Sequence, residues 1–400
     1  MRVQRAQLFF NFICLIILSI LKAAEVEIYT EEMSQIIKDH MKVLAVRTAQ
    51  VAHPTGDPNF SVMQPFPAAF TAQECDPFLM CDAFGPVVSS GIETNPDKFQ
   101  VQWHPHRGMD LLTYITEGVG RHADSLGNRG EFASPGMQWI SAVRFTIPLF
   151  TIVSFLLISC TASEYRAVES STLKAEARLP ERTLADFKSG TQLQSHSPFN
   201  IDLLPLTLVF FPSTKIYRVN VPSERKMDDP RYGTEPPENL PVVSVGAPNV
   251  NNKSFTRVLA GSYEGKTGPF KTVTEVQILD FTLTAGTEVA HHVPAQLDNC
   301  LLYVYKGSVT ISHSTNVGTH QCARFDASDP DSSRLFTISA AEGASFLLFT
   351  GKMLKQPIAW HGPFVMTTDA EIRATIREYQ QGTFLKKRAA WDYKRIATKF

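Results

Sequence analysis

His104-Pro105-His106-Arg107-Gly108-Met109-Asp110-Leu111-Leu112-Thr113-Tyr114-Ile115 is the stretch whose reading decides the fold. It sets two imidazoles two residues apart and follows them with a strand-like run. Side chains at i and i+2 of a strand face one side. Both rings therefore reach one cation from a barrel wall. Imidazole suits zinc, copper, iron and nickel. Two histidines do not complete a site, so other ligands must come from elsewhere. The plainer alternative is a buried histidine pair satisfied by backbone groups, because histidine is often a core residue.

Working outward, the chain from Leu44 is a series of short apolar runs broken by Gly, Pro, Asn and Asp. Phe78-Leu79-Met80 and Met137-Gln138-Trp139-Ile140 are two of them. This spacing predicts a β-sandwich or barrel. A second set begins near Phe255 and includes a strand through Val276, Ile278, Leu279, Phe281 and Leu283. Leu301 to Tyr305 and Val309 to Ile311 flank Lys306-Gly307-Ser308, which reads as a hairpin turn. Phe346 to Phe349 is another strand. Between the sets, residues 222–248 are dense in Pro and charge and read as the inter-domain connection. Thr368-Asp369-Ala370-Glu371 is a capping box. Ile372, Ile376 and Tyr379 follow at helical spacing, with Gly382 as a stop. The apolar face of that helix is expected to dock on a barrel.

The 400 residues exceed one typical domain and fit two. A net charge of −1 supplies no global field toward nucleic acid or anionic lipid. Six cysteines include no CxxC pair, which argues against a zinc knuckle. No Gly-rich phosphate loop or Ser-His-Asp arrangement points to another enzyme class. Lys386-Lys387-Arg388 and Lys394-Arg395 read as a solvated helix face.

Two apolar segments stand outside the β pattern. Residues 1–24 read as a signal-like or anchor segment. Arg2 and Arg5 precede the uncharged run 6–21, with Ala23-Ala24 just after it. On that reading the chain enters the secretory pathway or is membrane-anchored. Asn59 and Asn252 become glycosylation acceptors, and Cys75 and Cys81 become candidates to pair. Residues 145–163 carry no charge, are mostly Phe, Ile, Leu, Val, Ser and Thr, and are interrupted by Pro148. They read as a membrane-contacting hairpin, a span, or translated sequence that is normally removed.

WHPHRGMDLLTYITEG (103–118), HADSLGNRGEF (122–132), PGMQWISA (135–142), RVNVPSERKMDDPRYG (218–233) and HGPFVMTTDAEI (361–372) together resemble the pirin family. The resemblance implies a mainly β chain of two cupin-type barrels, a bicupin, with a C-terminal helix. The N-terminal cupin spans 44–230 with a non-matching insertion at about 144–216. The C-terminal cupin spans 231–350, and an extension with the helix spans 351–400. The resemblance also implies a mononuclear non-haem iron in the N-terminal barrel, with His104 and His106 as metal ligands. The family's third histidine and its glutamate form an H-x-E pair after the QW strand. Here Val143-Arg144-Phe145 follows instead, and no histidine in the chain has a glutamate two residues later. The insertion is read as taking the place of the strand that closes the site, or as retained non-coding sequence. Iron is accordingly expected to bind weakly or not at all.

The implied activity is quercetin 2,3-dioxygenase-type opening of a flavonol-like ring with O2, impaired by the missing ligands. The alternatives are a redox-sensing co-regulator with a protein partner, at a cytoplasmic or nuclear address, and a metal-poor structural cupin. A monomer is expected. Asp110 stands where many cupins carry a ligand glutamate, without a metal role in this family. His122-Ala123-Asp124 is a turn entry rather than a ligand pair. Arg107 is expected to pair with Asp110 or Glu117, and Trp103 and Trp139 to pack the barrel. His291 and His292 are adjacent, so they face opposite ways and make poor joint ligands.

Overall fold

Alternation along the central strands sets the layers. Met109–Ile115 is buried along its whole length. Leu112 and Tyr114 join one apolar cluster, while Met109 and Leu111 join another. A strand buried on both faces must lie between two packed layers. The same division recurs in Asn299–Gly307, where Leu301 and Tyr303 face one core and Cys300, Leu302 and Val304 the other.

The computed structural model describes residues 40–52, 62–84, 87–89, 100–101, 104–125, 129–142, 148–153, 158–159, 207–211, 213–247, 253–328 and 333–384. Two seven-stranded sheets form its middle. The N-terminal one runs Arg231–Glu235, Gly136–Ala142, Met109–Ile115, Thr214–Asn220, Phe78–Phe84, Val62–Phe66, Gln50–Ala52. The C-terminal one runs Val43–Thr48, Gln321–Phe325, Asn299–Gly307, Ala344–Gly351, Val276–Leu283, Phe255–Ala260, Val242–Ser244. Each barrel has a second, four-stranded sheet. In the N-terminal half this is Gln100–Val101, Pro148–Val153, Val119–Asp124 and Arg129–Ala133. In the C-terminal half it is Thr287–His292, Leu335–Ala340, Val309–Ile311 and Thr315–Val317. The cluster holding Phe66, Phe78, Tyr217 and Val219 with Leu301, Leu347 and Phe349 lies between the two large sheets.

The barrels exchange edges. Val43–Thr48 pairs with Gln321–Phe325 of the C-terminal sheet. Residues 222–248 contribute one strand to each large sheet, Arg231–Glu235 and Val242–Ser244. The Pro-rich stretch is thus woven into both halves.

Several expectations change on contact with the structure. Lys306-Gly307-Ser308 is not a hairpin turn. The strand before it pairs with Gln321–Phe325 and Ala344–Gly351, and Val309–Ile311 pairs in the other sheet. Gly307, at φ 72, carries the chain between layers. Cys75 and Cys81 are free, fully buried thiols of the interbarrel core. Within 145–163, Pro148–Val153 is a barrel strand paired with Val119–Asp124. No helix among the described residues is long and apolar enough to cross a membrane. Asn59, Asn252, Trp103, the leader and the basic runs lie outside the described residues.

The C-terminal helix Asp369–Gln380 begins at the capping box, with Thr368 and Glu371 satisfying each other's backbone N–H groups. Gly382 follows it at φ 69. Ile372 and Ile376 pack on the two-stranded Ala359–His361 and Phe364–Met366 unit rather than directly on a large sheet.

Candidate metal centre

The segment 104–108 leaves the regular sheet and reaches its place through partners distant in sequence. The Gly108 N–H donates to the Ala142 carbonyl at 2.7 Å. The Arg107 N–H donates to Pro363, and its carbonyl accepts from the Val365 N–H at 3.0 Å. Gly108 sits at φ 86, where a Cβ would stand 1.8 Å from the Val365 carbonyl oxygen, so only glycine fits. The Lys226 ammonium, 2 % exposed, ties this region together. It donates to the Gly108 carbonyl (2.9 Å), the Asn220 amide oxygen (2.7 Å) and the Val365 carbonyl (3.2 Å). Burial lowers its pKa to about 8.

Arg107 pairs with neither Asp110 nor Glu117. Its guanidinium donates to Thr375 Oγ1 (3.0 Å) and Glu378 Oε2 (2.7 Å) of the C-terminal helix and lies 4.5 Å from the centre of the Phe384 ring. The last part of the chain is therefore a strap across the first barrel, anchored one residue from His106.

His104 and His106 converge. Their Nε2 atoms are 2.8 Å apart and their ring centroids 4.6 Å apart, nearly perpendicular. Two nitrogens at that separation, each about 2.1 Å from a common point, subtend roughly 85° there. That is the angle of cis ligands. His106 is 2 % exposed, and its Nδ1 has no hydrogen-bond partner of good geometry. Burial, then the His104 ring and the Arg218 charge, hold its pKa well below the usual histidine range, while the Pro363 carbonyl acts the other way. The ring is neutral, the form that binds metal.

Among the described residues the other half of a four-ligand set does not appear beside them. Among the described residues no three His, Cys, Asp or Glu side chains are grouped to hold a metal. The residues present fit two positions of such a group and do not complete it. Asp110 faces away, on the side of Leu112 and Tyr114. It accepts the Ser141 hydroxyl and, at 2.6 Å, the Val273 N–H of the other barrel. Burial raises its pKa to about 6. The side chains of His122 and Asp124 lie outside the described residues. A cavity of about 410 Å³ beyond Ser141, lined also by Arg225, Arg231 and Val273, shares no lining residue with the histidine pair.

Trp139 packs in the interbarrel core, 6.2 Å from the Phe270 ring centre. His291 is fully buried and His292 exposed, as adjacent strand residues must be. Sequence reasoning gave no role to Asp82, Gln138 and Arg218. All three project from the face of the N-terminal sheet opposite the interbarrel core. The available signal was alternation: Tyr217 and Val219 flank Arg218, and Met137 and Trp139 flank Gln138, all four in that core.

Two barrels of seven plus four strands, packed through their large sheets with a histidine pair in the first, define a bicupin. A family model described as Pirin matches residues 59–145, and one described as Pirin C-terminal cupin domain matches residues 278–385. The chain belongs to the pirin family. It is 29 % identical over 317 residues to a Pseudomonas aeruginosa protein named "Putative quercetin 2,3-dioxygenase", covering 77 % of this chain and 86 % of that one. It is 26 % identical over 312 residues to Pirin-like protein 2 of Arabidopsis thaliana, covering 77 % and 75 %. The crystal structure of quercetin 2,3-dioxygenase from Acinetobacter baumannii superposes with a TM-score of 0.64 at 24 % identity, over 86 % of this chain and 98 % of that one. This last likeness speaks for the fold.

Proposed function

We propose that this pirin-family bicupin binds a divalent transition metal, iron(II) first among them, in its N-terminal barrel through His104 and His106. We propose further that its chemistry is of the quercetin 2,3-dioxygenase type, with low turnover. The convergence of the two Nε2 atoms at 2.8 Å carries the reading. The 29 % identical bacterial relative supplies the reaction class. A bound iron would supply a centre at which flavonol and O2 are oriented. The chain's own part is to hold two neutral imidazoles in place through the Arg107 and Lys226 contacts. With two nitrogen donors in place of four ligands, affinity is expected to be weak.

A second reading, a bicupin whose barrels are structural, gains from the lack of a third donor among the described residues. Metal analysis and titration of the full chain, beside His104→Ala/His106→Ala, separate the two. Metal uptake lost in the double variant, together with oxygen-dependent loss of the quercetin absorbance band, supports the first. Uptake that ignores both histidines leaves the second. The secretory or anchored address stays a proposal of the leader, tested by the N-terminal sequence of the expressed protein.

A further inference from the structure

We propose that Arg218 makes the N-terminal lumen a receptor for a small ligand bearing an anionic oxygen, either a carboxylate or an ionised enol or phenol. The inference rests on the metal-centre reading only in taking that lumen as the functional chamber.

Position comes first. Tyr217 and Val219 point into the interbarrel core, so Arg218 between them points into the first barrel. Its register neighbours are Leu111 on one side and Met80 on the other. Leu111 belongs to the lumen cluster with Met109 and Ile140. After burial and the His104 ring, the Arg218 charge is a further cause that lowers the His106 pKa.

Chemistry comes second. Arg218 makes no hydrogen bond and no ion pair among the described residues, and its Nε is buried without a partner. Asp82 is the carboxylate that favours its charge, but at longer range, and Asp82 already accepts from Gln64 Nε2 at 2.7 Å. A guanidinium taken from water normally meets a carboxylate or phosphate in a planar fork. Leaving it unpaired is costly. A second donor in the lumen is also unmatched. Gln138, 3 % exposed, has no partner for its Nε2. In one register row across the sheet it is followed by Thr113, then Ile216 two strands away and Asp82 three strands away. Among the described residues, Arg218 Nε and Gln138 Nε2 are buried donors with no acceptor. The complement of such a surface is an acceptor-rich, negatively charged molecule. A planar oxyanion suits the fork best.

Calorimetric titration of the full chain with benzoate and, separately, with quercetin tests this. Wild type is expected to bind at least one probe. Arg218→Met should weaken that binding roughly 10- to 100-fold, the scale of a charged hydrogen bond. Arg218→Lys should recover part of it, since the charge returns without the fork. Binding of benzoate alone identifies a carboxylate ligand, and of quercetin alone an enol or phenol. Equal binding by wild type and Arg218→Met overturns the inference, as does no binding of either probe to wild type. Melting without ligand is a second readout. Arg218→Met should melt at or above wild type, and a large fall would show that the charge is structurally satisfied. Nickel titration of wild type runs alongside. No nickel uptake with Arg218-dependent probe binding sinks the metal centre alone. Nickel uptake without Arg218-dependent probe binding sinks this inference alone.

Discussion

The C-terminal barrel fills its lumen with rings. Phe281 stacks on Phe346 at 4.9 Å, and Phe325 on Phe336 at 4.3 Å. The N-terminal barrel, which also sets a four-stranded against a seven-stranded sheet, places Asp82, Gln138, Arg218 and the histidine pair beside the apolar cluster of Met109, Leu111 and Ile140 among its described residues. Among the described residues, one lumen is filled with rings and the other holds polar side chains as well. The second is also the one closed by a foreign element, the strap from the far end of the chain. Symmetric architecture thus hides a division of labour: one barrel supplies stability and the other can keep polar groups that stability would remove.

The largest effect should come from breaking the filled side. Phe336→Ala removes a fully buried ring and is expected to cost about 3–5 kcal/mol by denaturant unfolding. Gln138→Met, on the chamber side, should be neutral or stabilising, because it deletes an unmatched donor. If both cost the same, the contrast between lumens fails. Next, Arg107→Ala cuts the strap from the first barrel. Glu378 is 40 % exposed, so solvent discounts the ion pair, and a loss of about 2 kcal/mol is expected. Hydrogen exchange should quicken in residues 104–108 and 369–380 and not in the Phe-filled barrel. The smallest effect at neutral pH should be a gain. His291 lies among Tyr263, Phe281 and Phe336 with neither ring nitrogen hydrogen-bonded. Burial first, then His292, depress its pKa to about 3. The unfolded chain binds a proton there below about pH 6.5 and the folded one does not, so stability falls as pH drops from 6.5 toward 3. His291→Phe should add about 1 kcal/mol at pH 7 and flatten that acid slope. An unchanged slope would show that another group governs it.

Much of this was legible in the sequence. Strand runs such as Val276 to Leu283, the capping box at Thr368 and the order of the family motifs gave the two barrels and the helix. The approach of His104 and His106 was expected from alternation on a strand, but the pair precedes the strand Met109–Ile115, in a segment held by Ala142, Pro363 and Val365. The pairings of single side chains were not legible. Arg107 reaches Glu378 across 271 residues, and no local rule links them. Gly307 looked like a hairpin turn because φ > 0 glycines serve turns and layer changes alike. Arg218 was hidden in a motif whose apolar neighbours carry the pattern, and only the second face of its strand gives it meaning.

The strap has a consequence for how the protein is made. Arg107 and Gly108 are synthesised more than 250 residues before Val365 and Glu378 emerge, yet they lean on them. On the ribosome the second barrel can assemble around its own rings while the first still lacks its clasp. That side of the first barrel is thus finished late, although its named residues, up to Arg218, are all translated before the strap.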